Sequence, residues 1–278
     1  MKRFFALTLA VLMIVACFAG CGKAKDDDVV TNPTGGDTQQ KVITVGYTIY
    51  EPMNFKDADG KLVGYDTELA EKVFGNLGYK VIFQEIVWAN KYTDLNSDTI
   101  DCIWNGFTAN VADDDDGVQR SQKVDFSYNY MENRQVVVAK KDAGIASAAD
   151  LKGKLGVGEK GSAGETYAKT FEGATFKGFT AQTECLTEVI GGTADFAVLD
   201  AQLAKSYAGK GDYADLAIVE GLSSDVEYYA IGFKKGSDLT AKVNEQLEKL
   251  GADGTIAALA DKYGVANTAI KNFADQKK

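Results

Sequence analysis

Short apolar runs and stretches of helical spacing alternate along this chain. Residues 42–45 form a β-branched run that predicts a buried strand. A loop rich in aromatic residues follows, and from Asp66 the apolar residues recur at the spacing of an amphipathic helix that ends at Gly75 or Gly78. Aspartate is a residue type that caps helices, so we expect Asp66 at the N-cap. This first unit therefore predicts a strand, an aromatic loop and a helix.

The same alternation continues through the rest of the chain. Further apolar runs predict strands at residues 80–87, 100–104, 134–141, 155–157, 196–199 and 227–235, and helical spacing predicts helices from Glu165, at 182–190 and at 238–250. Strands that alternate with helices indicate an α/β fold, in which ligands bind at the carboxyl ends of the strands.

Residues that suit ligand binding follow several of these predicted strands. Tyr50 comes after the first strand and Trp88 after the second, although both also suit a hydrophobic core. The segment 105–108 follows the third strand, and Trp104 just before it fits either a pocket or the core. The Gly-rich segment 158–164 precedes a helix, so its free backbone N–H groups form a natural anion cradle.

Asp200 stands where the predicted strand at 196–199 meets the next helix. A carboxylate at this point is either a helix N-cap or a ligand contact, and one residue can serve as both.

The N-terminal residues have the features of an export signal. Two cationic residues precede an apolar run at 4–18 that is too short for a comfortable membrane span. The run leads into an Ala-Gly-Cys-Gly segment at Cys21 that resembles the lipobox of bacterial lipoproteins, and Cys17 lies in a second segment that fits the same pattern. We predict a lipoprotein signal peptide at 1–20, a lipidated Cys21 with Cys17 as the alternative, and a flexible polar tether at 21–40.

The composition excludes several classes of function. Without the two cationic residues of the leader, 28 basic residues face 40 acidic ones, a net charge of −12 that does not suit nucleic acid. The chain contains no His, which excludes His-based triads and most zinc sites. The acidic run Asp113–Asp116 lacks the spacing of a calcium loop, so we expect a solvated loop and no metal or cofactor. Cys102 and Cys185 are expected to be unpaired packing residues.

Motifs spread in order over residues 42–264 resemble those of one bacterial family. They are Tyr50-Glu-Pro52, Gly60-Lys-Leu-Val-Gly-Tyr-Asp66, Val124-Asp-Phe-Ser127 followed by Tyr130, Ala149-Asp-Leu-Lys-Gly-Lys154, the run from Gly191 to Asp200, and Asp253-Gly-Thr255 with Lys262-Tyr263. They are similar to the extracellular solute-binding proteins of polar amino-acid ABC transporters, which are family 3 proteins with the periplasmic binding protein type II fold.

This resemblance implies an α/β fold of two Rossmann-like lobes joined by two crossing strands, the Venus-flytrap arrangement. Lobe 1 would consist of residues 41–134 and 232–278, and lobe 2 of residues 135–231. The resemblance also implies a monomer, without enzymatic activity, that binds a free amino acid between its lobes and delivers it to an ABC permease. With palmitate among the lipids on Cys21, we expect the chain at the outer face of the cell membrane or in the periplasm.

The resemblance also implies a set of site residues. A free amino acid carries a carboxylate and an ammonium, and both need partners when they leave water. Arg120 is the implied carboxylate partner, since its planar fork forms two parallel bonds, and Asp200 is the implied ammonium partner. Further contacts are implied for Thr108 and the backbone near Asn105 and Gly106 at the ammonium, for Ser162 and the backbone near Ala163 at the carboxylate, and for Tyr50 and Trp88 at the ligand side chain.

The arginine is where this sequence departs from the family pattern. In the family a shorter interval follows the threonine loop, whereas here eleven residues separate Thr108 from Arg120. We interpret residues 111–117 as an acidic insertion, because Arg120 stands at the expected distance before Asp125. Arg134 is the alternative carboxylate partner.

Two other functions fit the same fold. An enzyme such as a dehydratase of a cyclohexadienyl acid would need a general acid or base, and without His this would be Glu51, Asp200 or a lysine. A sensor would deliver its ligand to a receptor and not to a permease. The identity of the amino acid stays open, with Glu51, Asn105, Glu159 and Gln182 as possible contacts of its side chain.

Overall fold

Two five-stranded sheets organise the part of the chain that the computed structural model describes, residues 40–113 and 115–277. The strands are β1 (Lys41–Tyr47), β2 (Phe55–Lys56), β3 (Leu62–Val63), β4 (Tyr79–Glu85), β5 (Cys102–Ile103), β6 (Asp125–Phe126), β7 (Met131–Asn133), β8 (Gln135–Lys140), β9 (Leu155–Glu159), β10 (Thr175–Phe179), β11 (Phe196–Asp200), β12 (Leu216–Ser223), β13 (Glu227–Tyr229) and β14 (Gly232–Phe233). The helices are α1 (Tyr65–Asn76), α2 (Lys91–Asn96), α3 (Arg120–Lys123), α4 (Ala163–Ala168), α5 (Gln182–Gly191), α6 (Ala201–Tyr207), α7 (Leu239–Ala252) and α8 (Thr255–Lys262).

The first sheet has the strand order β4-β1-β5-β14-β6. In it β1 runs parallel to β4 and β5, whereas β14 runs antiparallel to β5 and β6. Ile43 and Val45 of β1 are almost fully buried and belong to one hydrophobic cluster with Leu69, Val73 and Phe74 of α1. The β-branched run and the helical spacing of the sequence therefore meet in one core.

The second sheet repeats this arrangement with the order β10-β9-β11-β8-β12. Here β9 runs parallel to β10 and β11, and β8 runs antiparallel to β11 and β12. In each sheet one strand, β1 or β9, lies between two parallel neighbours. An antiparallel strand, β14 or β8, then lies next to β5 or β11. Every residue of β11 is buried, as expected for a strand covered on both faces.

A short antiparallel ribbon connects the two sheets. In it β7 pairs with β13, with Met131 opposite Tyr229 and Asn133 opposite Glu227. The chain enters the second sheet directly after β7 and returns to the first sheet directly after β13. We call the first sheet with its helices lobe 1 and the second sheet with its helices lobe 2. Two sheet-containing α/β lobes confirm the predicted fold class.

The structure corrects the prediction that Asp66 caps the first helix. The N-cap of α1 is Gly64, and the helix continues past Gly75 to Asn76. Asp66 lies in the first turn, fully buried, and its Oδ2 accepts hydrogen bonds from the Gly106 N–H and the Tyr130 hydroxyl, each at 2.9 Å. A contact distant in sequence has therefore taken the carboxylate that the local pattern assigned to the cap.

Three other expectations concern core and leader residues. Trp104 is fully buried against Phe74 and Tyr130, so it belongs to the core. Cys102 and Cys185 are buried free thiols, as predicted. The predicted signal peptide, both candidate lipidation sites and nearly all of the tether lie outside the described residues. None of the helices in residues 40–113 and 115–277 has the length and apolar character needed to cross a membrane.

Two glycines in the segment that follows Tyr50 should differ in how much stability an alanine substitution costs. Gly60 has φ +78° and open space around it, whereas Gly64 has φ +134° and a Cβ there would overlap the carbonyl group of Met53. We expect Gly60→Ala to cost ~1–2 kcal/mol from backbone strain alone. Gly64→Ala should cost at least ~2 kcal/mol more, because overpacking adds to the strain. Urea unfolding of the two variants measures the difference, and equal losses would contradict the overlap.

Candidate functional site

One cavity brings together all nine residues predicted to contact a ligand. They are Tyr50, Trp88, Asn105, Gly106, Thr108, Arg120, Ser162, Ala163 and Asp200, and the rest of the wall consists of Thr48, Glu159 and Gln182.

The carboxyl ends of parallel strands bring these residues to one place. In lobe 1, Thr48 follows β1, Trp88 follows β4 and Asn105 follows β5. In lobe 2, Glu159 ends β9 and Asp200 ends β11. Both sheets therefore present their strand ends to the cavity, the position at which open α/β sheets bind ligands.

Arg120 begins α3 and is 1% exposed. Its Nε donates to Asp113 Oδ1 at 2.8 Å, its Nη1 to the Thr108 carbonyl at 3.1 Å and its Nη2 to the Gly161 carbonyl at 3.2 Å. Lys91 Nζ donates to the same Gly161 carbonyl at 2.9 Å. Two cations of lobe 1 therefore reach the Gly-rich loop of lobe 2, and the lobes are closed on each other.

Asp113 shows that the acidic segment is not simply the solvated loop that we expected. It is 7% exposed, and its Oδ2 accepts from Lys123 Nζ at 2.8 Å and from the Tyr92 hydroxyl at 2.6 Å. Burial alone would raise the pKa of Asp113, but Arg120, Lys123 and Tyr92 together lower it to about 2. The expectation was wrong for this residue because the first carboxylate of the run folds inward to hold Arg120, whereas Asp116 stays exposed.

The alternative arginine lies elsewhere. Arg134 is exposed, donates to the Ser224 carbonyl at 2.8 Å and does not line the cavity. Arg120 lines the cavity, as its distance from Asp125 in the sequence indicated.

Asp200 receives hydrogen bonds from four neutral side chains. Its Oδ1 accepts from Asn133 at 2.6 Å, Gln135 at 2.7 Å and the Tyr229 hydroxyl at 2.8 Å. Its Oδ2 accepts from Gln182 Nε2 at 2.6 Å. The side chain makes no hydrogen bond to the start of α6, so it does not act as the helix cap that was one of the two expected roles.

A second carboxylate lies behind Asp200. Glu227 of β13 is 4% exposed and accepts from Gln135 Nε2 at 2.9 Å, from Thr108 Oγ1 at 3.2 Å and from Asn133 Nδ2 at 3.3 Å. Asn133 and Gln135 therefore bridge the two carboxylates, and the ribbon between the lobes contributes directly to the site.

The polar groups of Asn105 and Gly106 are already used in hydrogen bonds within lobe 1. The Asn105 side chain accepts from Thr48 Oγ1 at 2.6 Å and donates to Asn54 Oδ1 at 3.0 Å. The N–H of Gly106 already donates to Asp66. These bonds tie the loops after β1 and β5 together beneath the cavity.

The aromatic residues Tyr50 and Trp88 are buried and also form part of the cavity wall. Tyr50 and Trp88 are 2% and 4% exposed, yet both line the cavity. The Tyr50 hydroxyl lies 2.6 Å from the Tyr229 hydroxyl, and the Trp88 ring packs edge-on against Phe107 with centroids 5.3 Å apart. Both rings are therefore fixed parts of the wall.

In lobe 2 the Gly-rich loop leads into α4. Ser162 Oγ accepts from the Glu165 N–H at 3.1 Å, so Ser162 caps the helix that Ala163 begins. This leaves the hydroxyl hydrogen of Ser162 and the first N–H groups of α4 as donors on the cavity side.

The closed site shifts the pKa values of its acids upward. Burial and repulsion from Asp200 raise the pKa of Glu159 to about 8 and that of Glu227 to about 7. Burial raises the pKa of Asp200, against its four hydrogen bonds. Burial and the nearby Arg120 lower the pKa of Lys91 to about 7.

Sequence reasoning found some of the remaining residues and missed others. Glu159 and Gln182 were possible contacts and line the cavity, whereas Glu51 does not. Thr48, Lys91 and Glu227 were missed. Thr48 follows a predicted strand, a signal that was available, but the other two reach the site only through contacts distant in sequence.

Two α/β lobes that face one polar cavity with their strand ends define a bilobed solute-binding protein. The sequence profile of the bacterial extracellular solute-binding proteins, family 3, matches residues 43–266, and the chain belongs to this family. The family resemblance of the motifs is thereby confirmed. The family is extracellular by description, which agrees with the predicted extracytoplasmic location.

Individual relatives agree with this assignment. The chain is 32% identical over 266 residues to the L-cystine-binding protein TcyA of Bacillus subtilis (strain 168), with 92% of this chain and 96% of the relative covered. It resembles the structure of an ancestral arginine-binding protein bound to arginine, with a TM-score of 0.72, 33% identity and coverage of 80% of this chain and 97% of that chain. It also resembles AncCDT-1, an ancestral amino acid-binding protein described as a precursor of cyclohexadienyl dehydratase, with a TM-score of 0.71, 30% identity and coverage of 80% and 95%.

We expect the free energy of unfolding to fall as the pH rises from about 5 to about 7. The pKa values of Glu159, Glu227 and Asp66 are about 8, 7 and 7 in the folded chain, against ordinary values of 4.5 for Glu and 3.8 for Asp. At a pH between the ordinary and the folded pKa of each group, the folded chain keeps that carboxyl group protonated, whereas the unfolded chain has released the proton. The stabilisation is therefore complete below the ordinary values and is lost as the pH rises through the folded ones.

Urea unfolding at the two pH values measures this dependence. Glu159→Gln should flatten it, because one of the three groups is removed, whereas the exposed control Glu220→Gln should leave it unchanged. A stability that increases between these pH values would contradict the expectation.

Proposed function

We propose that this chain is the substrate-binding lipoprotein of an ABC importer and that it binds a free amino acid in the cavity between its lobes. The observation that carries the proposal is that Arg120 from lobe 1 and Asp200 from lobe 2 line the same cavity. A zwitterion held between them would contact both lobes at once.

The chemistry of an amino acid suits these two groups. The ligand carboxylate would take the place of the carbonyl partners of Arg120 and form two parallel bonds with its guanidinium, whose Nε stays with Asp113. Ser162 and the N–H groups near Ala163 would complete the carboxylate site. The ammonium would lie at Asp200 with the Thr108 hydroxyl close by, and the side chain would lie against Tyr50 and Trp88 at the opposite end.

We propose that the two lobes close by rotating about the ribbon of β7 and β13. Residues 41–134 with 232–278 and residues 135–231 would move as two bodies, in the hinge closure around a ligand by which periplasmic binding proteins work. The bond of Lys91 to the Gly161 carbonyl would form only when the lobes meet.

Delivery to a permease requires that the protein stay near the membrane. We propose that residues 1–20 are removed, that Cys21 is lipidated, and that the tether at 21–40 leaves the lobes free to reach the permease as a monomer. The relatives are described as binding proteins, which supports binding without turnover, although AncCDT-1 is described as the precursor of an enzyme.

A thermal-shift screen with the common amino acids and cystine tests the central proposal. Ligand at ~100 times its dissociation constant adds ~2.7 kcal/mol of stability. Bound ligand recovered unchanged after prolonged incubation supports a binding protein, whereas a dehydrated product would favour the enzyme. Absence of stabilisation by every amino acid would contradict the proposal.

Removing either charged partner should nearly abolish binding. Arg120→Ala or Asp200→Asn leaves one charge of the ligand buried without its partner, which costs ~2–5 kcal/mol. At ~1.4 kcal/mol per decade this is a loss of ~30-fold to several thousand-fold in affinity. Calorimetry with the best ligand of the screen measures it.

Arg134→Ala is the matched control, because it removes an exposed arginine outside the cavity. It should bind like the parent. If Arg134→Ala fails to bind while Arg120→Ala binds normally, the assignment of the carboxylate partner is wrong.

The lipid anchor has a separate test. Cys21→Ser should release the protein from the membrane fraction into the medium, since one acyl chain or none does not hold a protein stably. Metabolic labelling with palmitate should be lost in the same variant. Membrane association that persists in Cys21→Ser and disappears in Cys17→Ser would move the anchor to Cys17.

A further inference from the structure

A buried cation lies at the contact between the lobes, outside the wall of the cavity. Lys91 begins α2 and is 2% exposed, and its Nζ donates to the Gly161 carbonyl of lobe 2 at 2.9 Å. A Cβ on Gly161 would lie 3.4 Å from Lys91 Nζ and 3.4 Å from Ala89 Cα, so the turn at Gly161 covers the lysine directly. Separation of the lobes would therefore return the ammonium group of Lys91 to water.

Two acids of the segment 111–117 form ion pairs, and neither pairs with Lys91. Asp113 pairs with Arg120 and with Lys123, each at 2.8 Å, and Asp116 pairs with Lys123 at 2.8 Å. These two acids are therefore matched by two other cations. Within the described part of the chain, Lys91 takes part in no ion pair.

The other neighbours of Lys91 do not replace a counter-charge. Its Nζ lies 5.0 Å from the centre of the Trp88 ring and 4.7 Å from that of Tyr92, and aromatic faces attract a cation less strongly than a carboxylate does. Burial raises the pKa of Glu159 to about 8, so this carboxyl group is mostly protonated at lower pH. Burial and the nearby Arg120 lower the pKa of Lys91 to about 7, which shows that the closed lobes disfavour its charge.

Lys91 and Arg120 meet at the same oxygen. Arg120 Nη2 donates to the Gly161 carbonyl at 3.2 Å, and Lys91 Nζ donates to it at 2.9 Å. One neutral oxygen therefore lies between two positive groups, which repel each other in a buried region where water screens them little. A ligand carboxylate bound to the Nη groups of Arg120 would bring a negative charge to this point.

We propose that Lys91 makes closure of the lobes depend on the negative charge of the ligand. In the ligand-free protein, closure buries Lys91 beside Arg120 without a counter-charge, so the open lobes are favoured. A bound carboxylate removes this repulsion, and Lys91 then holds the Gly161 carbonyl while Arg120 holds the ligand. Lys91 is a positioning residue, since it does not line the cavity. The inference rests on the proposed binding of the ligand carboxylate by Arg120.

Small-angle X-ray scattering of the ligand-free protein tests the effect of Lys91 on closure. Lys91→Gln keeps an N–H donor for the Gly161 carbonyl but removes the charge, and Lys91→Met removes both. At one pH below the Lys91 pKa of about 7, both variants should be more compact than the parent. We expect the ratio of closed to open molecules to rise ~10-fold or more. A lysine that merely holds the lobes together predicts the opposite, a more open protein.

A double-mutant cycle tests whether Arg120 is the repelling partner. Arg120→Met should also make the ligand-free protein more compact, and Lys91→Met should add little in that background, because the repulsion has already been removed. Lys80→Met is the matched control, since it removes an exposed lysine from β4 of the same lobe and should scatter like the parent. Urea unfolding checks that each variant is folded.

The charge of the ligand is varied in a second experiment. The probes are the amino acid that stabilises the parent most in the thermal-shift screen and the α-carboxamide of that amino acid, which lacks the negative charge. The parent should bind the acid more tightly than the amide, and in Lys91→Gln this preference should fall ~10-fold, because closure on the amide no longer leaves two cations without a counter-charge.

Three outcomes would overturn the inference. They are ligand-free Lys91 variants as open as the parent or more so, effects of Lys91→Met and Arg120→Met that simply add, and an unchanged preference for the acid in Lys91→Gln. Each of them leaves the proposed function intact. Failure of every amino acid to bind the parent would remove the proposed function, whereas the scattering experiment needs no ligand and decides separately whether Lys91 favours the open lobes.

Discussion

The ion pair between Arg120 and Asp113 holds the guanidinium in a buried position that it could not occupy alone. An unpaired charge at this depth would cost several kcal/mol. Asp113 takes the Nε edge, with Lys123 and Tyr92 behind it, and so directs the two Nη groups toward the Thr108 carbonyl and the second lobe. The acidic segment that looks unfavourable beside a carboxylate site thus supplies the counter-charge that keeps the arginine in place.

The need to stabilise a buried charge also explains the side of the cavity around Asp200. Asp200 and Glu227 share neutral donors from Asn133 and Gln135, and these donors come from β7 and β8, where the chain crosses between the sheets. These neutral hydrogen bonds solvate the carboxylate of Asp200 but bring no positive charge to it. A ligand ammonium would supply the missing charge without any change in this network.

Local sequence patterns were sufficient to predict where the strands end, and therefore to predict most of the residues that line the cavity. A β-branched run fixes where a strand lies, and a parallel sheet then brings the residues after each strand to one edge, as with Trp88, Asn105 and Asp200. Patterns failed where a side chain is used by a distant partner. Asp66 has the sequence of a helix cap but bonds to Gly106 and Tyr130, and Asp113 has the sequence of a solvated loop but bonds to Arg120. Lys91 and Glu227 enter the site through tertiary packing, for which neither spacing nor residue type gives a signal.

The two sheets differ in which parts of the chain supply their strands, and this difference decides which sheet has all its strands first along the chain. All strands of the second sheet come from one continuous segment between Gln135 and Ser223. The first sheet needs β14, in which Phe233 pairs with Cys102 about 130 residues earlier, and β6 pairs with β14. The most distant pairing in the second sheet joins Val136 to Ser223, so its strands close a shorter loop than Cys102 and Phe233 do. Lobe 2 therefore has all its strands before lobe 1 does, and the half of the cavity that contains Arg120 is completed only when the chain has returned through the ribbon.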